Sequence, residues 1–310
     1  MITDKQESER MKGIGSSDVP TILGLNPWAT PHDLWLVKTG QADGPEENDA
    51  MRIGTVLEAG VLQLASDRLG AKIVKPTSTF VGCELFMRAN VDGMIGVAKR
   101  GSPIVEAKTT GRTEGWGDEG TDEVPEAVKA QVMFQMLCAS SDIAHVACLQ
   151  GDYGLRLKMY RVPFCEEYAA YIVERVREFW TRHVERRVAP AGLPTLEVLK
   201  RIRRDADAPP VQIDTALFIE DARCQRLLKE AEATADAARA ALMVALGTAT
   251  AGEGGGYRMK VSKVETSRFD AKAFAEANPE EAAKWTVRSG HNRTTVTAPK
   301  AAPSKKEFVR

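Results

Sequence analysis

The stretch Val91–Thr110, VDGMIGVAKRGSPIVEAKTT, holds the residue types best suited to chemistry in this chain of 310 residues. Asp92 opens one apolar run, the basic turn Lys99-Arg100-Gly101 follows, and a second apolar run from Pro103 delivers Glu106 and Lys108. Side chains alternate along a strand, so Glu106 and Lys108 share one face. Asp92 is expected in a neighbouring antiparallel strand, which brings an Asp, a Glu and a Lys to one end of a small sheet. Two hard oxygen ligands suit Mg²⁺, and an ammonium beside them suits an attacked phosphate. A Glu-x-Lys triplet turns up about once by chance in a chain this long, and on a strand it is commonly a solvated pair. The surrounding elements must therefore carry the reading.

Composition narrows the classes. The chain is 43% hydrophobic and 27% charged, which suits one or two globular domains with a sizeable core. Its cysteines, Cys83, Cys138, Cys148, Cys165 and Cys224, are odd in number and never spaced Cys-x-x-Cys. That argues against a disulfide framework or a structural zinc site and for a reducing cytoplasm. The histidines, His32, His145, His183 and His291, are too scattered for a ligand cluster. The charged start MITDKQESERMK has no apolar signal region and no stretch reaches membrane-spanning length, so a soluble protein with no membrane partner is expected. With a net charge of −1, a nucleic-acid partner would be held by a local basic surface rather than by bulk charge.

The positioning elements read as follows. Gly13-Ile14-Gly15-Ser16-Ser17-Asp18 is a hydroxyl-rich turn, with Ser17 or Asp18 as cap of a short helix whose free N–H groups could take an anion. Pro31 opens a helix that Gly40 closes. A long helix spans about Asp49 to Leu69, with Met51, Val56, Leu57, Val61, Leu62 and Ala65 as its buried stripe and Glu58 beside it. Ile73–Val81, Leu85–Val91 and Ile104–Thr109 read as an antiparallel meander. A Gly-rich acidic loop, residues 111–123, leads to a helix from Pro125 to Ser140 carrying Gln131 and Gln135 one turn apart. Strands at Ile143–Gln150 and Leu155–Val162 form a hairpin, and a helix follows from Glu166 to Val188. The pattern divides the chain into a core at residues 1–190, a linker at 191–213, an appendage at 214–297 and a disordered basic tail at 298–310. The appendage comprises a long alanine-rich helix, Asp214–Leu246, a strand at Tyr257–Val264, a short helix at Arg268–Ala277 and a final strand near Arg288, His291, Asn292 and Arg293.

Taken together, these pieces resemble the YqaJ-like viral recombinase family, relatives of the phage lambda exonuclease within the PD-(D/E)XK nuclease superfamily. The resemblance runs through Ile14–Asp18, Leu23-Gly24-Leu25-Asn26-Pro27-Trp28, Leu34-Trp35 to Gly40, Gly54–Glu58, Asn90-Val91-Asp92-Gly93, Glu106-Ala107-Lys108 and Pro125 with Gln131 and Gln135, in family order. It implies an α/β fold, a restriction-endonuclease-like mixed sheet flanked by helices, here with a helical and β C-terminal appendage. It also implies Mg²⁺- or Mn²⁺-dependent phosphodiester hydrolysis, 5′→3′ on linear double-stranded DNA, leaving single strands for an annealing protein in phage-type recombination. A phage or prophage origin and a bacterial cytoplasm go with that.

Carried over by residue, the resemblance makes Asp92, Glu106 and the Ala107 carbonyl metal ligands, with Glu58 serving a second metal or its water. Lys108 would activate water or stabilise charge on the phosphate, and Gln131 would orient it. Ser16, Ser17 and Gln135 would contact DNA or its 5′-phosphate. Asn90 departs from the serine that some members carry there. Processive members act as rings, so a homo-oligomer is expected. A restriction-type or structure-specific endonuclease and a non-catalytic DNA-binding partner are the alternatives. The complete set Glu58, Asp92, Glu106 and Lys108 argues against the latter.

Overall fold

A computed structural model describes residues 11–152, 154–265 and 270–286. One compact unit ends at Arg204 and a second begins at Asp205.

In the first unit the central strand is β6, Ile104–Thr110, named in chain order after β1 (Ile14–Gly15), β2 (Ile73–Val74), β3 (Phe80–Val81), β4 (Met87–Ala89) and β5 (Gly93–Ile95). With β7 (Ile143–Asp152) and β8 (Gly154–Pro163), it builds a five-stranded sheet in the order β2-β5-β6-β7-β8. All neighbours are antiparallel except β6 and β7. A parallel pair needs a crossover, and a helix between them in sequence, Glu126–Ala139, supplies it.

The register sorts the side chains. Ile104, Glu106, Lys108 and Thr110 stand beside Ala144, Val146, Cys148 and Gln150. Those in turn stand beside Val162, Tyr160, Lys158 and Arg156. Directly paired residues share a face. The apolar members of this face pack with Ala130, Met133 and Phe134 of the crossover helix and with Ile172 and Val176 of a later helix, Glu166–Glu178. The opposite face, Val105, Ala147, Leu149 and Met159, packs on Val61 and Ala65 of the long helix Asp49–Leu69. In chain order the α-helices of this unit are α1 (Val19–Ile22), α2 (Pro31–Lys38), α3 (Asp49–Leu69), α4 (Glu126–Ala139), α5 (Glu166–Glu178), which a π-helical stretch Phe179–Glu185 continues, and α6 (Leu196–Lys200). The chain is thus α/β, a mixed sheet flanked by helices, as expected.

Two expectations are corrected. The region from Ile73 to Val91 is not one meander with β6. β2 joins the large sheet, whereas β3 and β4 form a second sheet with β1, in the order β1-β4-β3. Pro76 lies between β2 and β3 and has no N–H for a ladder. Gly13, next to β1, is held to glycine because a Cβ there would lie 2.3 Å from the Phe86 carbonyl oxygen. The buried stripe of α3 is also shorter than expected: Val61 and Ala65 are buried, but Met51 and Val56 are exposed. Only the later turns of α3 cover the sheet.

The segment expected as linker, 191–213, divides between the two units. Thr195 N–H donates to buried Asp33 at 2.7 Å, Val198 is fully buried, and Ile202 bridges Ala42.

The second unit contains a helix α7, Thr215–Leu246, capped by Asp214, whose carboxylate accepts from Ala216 N–H at 2.9 Å. The hairpin β9 (Ala251–Gly254) and β10 (Tyr257–Lys260) follows. Its turn, Gly255-Gly256, has φ of 57° and 84°, the pair of positive values that a tight hairpin turn favours in glycine. Helices α8 (Ala271–Ala277) and α9 (Pro279–Trp285) complete it. The expected start of a helix at Arg268, the final strand near Arg288–Arg293 and the tail 298–310 lie outside the described residues. Among the described residues no helix is long and apolar enough to cross a membrane.

Candidate active site

The pairing of β5 with β6 stops at Gly93 and Val105, so beyond Val105 that edge of β6 is left without a described strand partner. Asp92, one residue before β5, fills the gap: its Oδ2 accepts the Ala107 N–H at 2.9 Å. The N–H and C=O of a strand residue point to the same edge. The Ala107 carbonyl therefore faces the edge where Asp92 sits.

Glu106 is only 3% exposed, and a carboxylate so placed must be satisfied. Its Oε1 accepts from Lys108 Nζ and from Gln131 Nε2, both at 2.6 Å. Its Oε2 accepts from Gln135 Nε2 at 2.7 Å. Lys108 Nζ also donates to Gln131 Oε1 at 2.9 Å. The i,i+4 spacing on α4 places both amides over the β6 pair. Gln135 Nε2 further reaches the Asn90 carbonyl at 3.2 Å, while its Oε1 is buried without a partner among the described residues.

Glu58 arrives from the other side, on α3, and pairs with Lys75 Nζ at 2.5 Å. Glu106 and Glu58 thus approach Asp92 from opposite faces. Burial, then the charge of Glu106, then that of Glu58 push the Asp92 carboxyl up to about 8, against the pull of the Ala107 N–H and Lys108. Lys108 is pulled down by burial, but the charges of Glu106 and Asp92 outweigh that and leave its pKa raised. Carboxylates crowded in this way are what a bound cation relieves.

The donor set fits a hard cation. A carboxylate offers about four lone-pair sites. Three of those on Glu106 are taken, two on Oε1 and one on Oε2, so Oε2 keeps one beside Asp92 and the Ala107 carbonyl. Mg²⁺ commonly takes one or two carboxylates and keeps several waters. Among the described residues no group of three or more His, Cys, Asp or Glu gathers as a metal cluster. The Glu58 carboxylate is paired with Lys75.

The expected DNA contacts fare unequally. Gln135 is 1% exposed and Ser16 is 7% exposed. Gln135 is turned inward onto Glu106, and Ser16 is buried. Ser17 is exposed. It lies in a three-residue 3₁₀ turn before the four-residue α1, too short for a strong helix dipole. The Gly15 N–H there donates to Asp18 Oδ2 at 2.8 Å, and that carboxylate pairs with Lys38 at 2.7 Å. That carboxylate takes one N–H of the turn and leaves the exposed Ser17 hydroxyl at its surface.

Sequence reasoning missed Lys75 and Lys158. Lys75 follows β2 and has no motif. Lys158 stands in register with Cys148 and Lys108, and both lysines act on the Cys148 thiol, which burial pushes up to about 12. Only pairing register reveals that neighbour. Arg112, just past β6, lies 5.5 Å over the ring of exposed Trp28.

Residues 7–142 match the family model of the YqaJ-like viral recombinase domain. A curated relative, the uncharacterized protein YqaJ of Bacillus subtilis strain 168, is 36% identical over 197 residues. That match covers 62% of this chain and 59% of the relative, so the chain spans under two thirds of the relative's length. Among solved structures the chain is similar to an alkaline exonuclease, LHK-Exo, from Laribacter hongkongensis (TM-score 0.46, 16% identity, 57% of this chain and 90% of that one). It is also similar to a phage related exonuclease from Haemophilus somnus 129PT (TM-score 0.44, 16% identity, 57% and 96%).

Proposed function

We propose that this chain, whose residues 7–142 match the model of the YqaJ-like viral recombinase domain, is a divalent-metal-dependent exonuclease acting on the ends of linear double-stranded DNA. The observation that supports it best is the convergence of Asp92, Glu106, Lys108 and the Ala107 carbonyl at the open edge of β6, with Gln131 tying Lys108 to Glu106.

In this reading Asp92, Glu106 and the Ala107 carbonyl hold Mg²⁺ or Mn²⁺. An ion held by these groups would supply Lewis-acid polarisation of the phosphoryl oxygen and of the attacking water. Lys108 keeps its proton, because neighbouring carboxylates raise its pKa. It therefore serves as a fixed ammonium that stabilises charge growing on the phosphate rather than as a base. Gln131 aims it. Gln135 orients Glu106 from beneath. Lys158 and Arg156, on the same sheet face as Lys108, supply the local positive surface that a chain of net charge −1 needs for DNA. Ser17 touches the 5′-phosphate. Digestion runs 5′→3′ and leaves a strand for an annealing protein, in the cytoplasm of a phage-carrying bacterium, and the enzyme is a homo-oligomer.

Linear duplexes labelled at the 5′ or the 3′ end, incubated with Mg²⁺, test this. Early release of the 5′ label with covalently closed circles left intact is the expected result. Cutting of closed circles would replace the exonuclease with an endonuclease, and 3′ release would reverse the polarity.

A further inference from the structure

We infer that Lys75 stands in for a second cation, so that the site takes one divalent ion, at Asp92 and Glu106, rather than two. This rests on the metal-dependent reading above and adds a positioning residue to it.

Two-metal sites share carboxylates between ions a few ångströms apart. Here Asp92 lies between Glu106 on one sheet face and Glu58 on the other, but only one side is open to a metal. The Glu58 carboxylate is already held by the Lys75 ammonium. The backbone puts Lys75 there by register. β2 pairs Ile73 with Ile95 and Val74 with Met94, so the next residue, Lys75, comes opposite Gly93 and one step from Asp92.

The plainer account is a surface ion pair, since the Lys75 side chain is 66% exposed and such pairs contribute little. The two accounts differ in metal stoichiometry. Mn²⁺ alone, titrated into the full chain without DNA and followed by electron paramagnetic resonance, reads the number of bound ions directly. Expected are one Mn²⁺ per chain in the wild type, two in Lys75→Met, one in Lys75→Arg, and one again in Lys75→Met combined with Glu58→Gln. Wild-type binding of two ions, or an unchanged single ion in Lys75→Met, would overturn the role given to Lys75 while leaving the metal site standing. Wild-type binding of none would overturn the metal-dependent function itself, and this inference with it. Because Lys75 is exposed, melting temperatures of all variants should match and exclude misfolding as the cause.

Discussion

Asp92, Glu106 and Lys108 are each held by at least one of the others' neighbours, so losing any one disturbs charge more than shape. Asp92→Asn, Glu106→Gln and Lys108→Ala should each lower Mg²⁺-dependent cleavage by about 10²-fold or more, the usual scale for a major electrostatic contributor. Circular dichroism should show the fold retained; near wild-type cleavage by a folded Asp92→Asn would remove it from the site. A pH signature belongs to Asp92 as well. Its carboxyl rises from the ordinary 3.8 to about 8 on folding, so the folded state binds its proton more tightly than the unfolded chain does. Its contribution to stability is therefore fully present below the ordinary value and is lost as pH rises toward about 8. In EDTA, the wild type should lose melting temperature relative to Asp92→Asn across that window. Mn²⁺ affinity should rise over the same range, because the ion competes with the proton. A pH-independent difference between the two proteins would count against the crowding of carboxylates.

At the scale of elements, α4 and β5 aim the site. Gln131 and Gln135 lie one turn apart on α4, but only Gln135 is fully buried. Gln135→Leu leaves Glu106 Oε2 and the Asn90 carbonyl without their donor. It should cost about 1–3 kcal/mol in a denaturant titration, the range for an orphaned buried polar group, and should lower activity too. Gln131→Leu should spare stability by comparison and act mainly on cleavage, by freeing Lys108 beside Glu106. Equal stability losses in both variants would mean that the burial difference does not matter. In β5, a Cβ on Gly93 would lie 2.3 Å from Ile73 Cγ2. Gly93→Ala must therefore push β2 and β5 apart next to Asp92, and should cost about 1–3 kcal/mol as overpacking does, with a fall in Mn²⁺ affinity. A variant with unchanged melting and metal binding would show that the strand pair yields freely.

At the scale of the whole molecule, Glu58, Asp92, Glu106, Lys108, Gln131 and Gln135 all fall in the unit that ends at Arg204. A chain ended there should still bind Mn²⁺ and melt cooperatively. The second unit offers α7, on which Leu217, Leu227, Leu228 and Leu242 are all exposed. Apolar residues recurring along a long helix commonly pack on another helix, and the proposed homo-oligomer would use this one. Light scattering should then give an oligomer for the full chain and a monomer for the chain ended at Arg204. A monomeric full chain would remove self-association from the proposal.

The residues that could do chemistry were legible in the sequence, because strand periodicity alone puts Glu106 and Lys108 on one face and a helix turn alone puts Gln131 above Gln135. So were the long helices, whose caps and terminating glycines are local signals: α3 runs from Asp49 to Leu69 before Gly70, and α7 ends at Gly247. Register and layer were not legible, since they depend on which strands meet. The parallel pairing of β6 with β7, the departure of β3 and β4 into a second sheet, and the inward turn of Gln135 all follow from long-range packing. Lys75 is the sharpest case. Nothing beside it in the chain marks it, and it reaches Glu58 only because β2 pairs with the strand that follows Asp92.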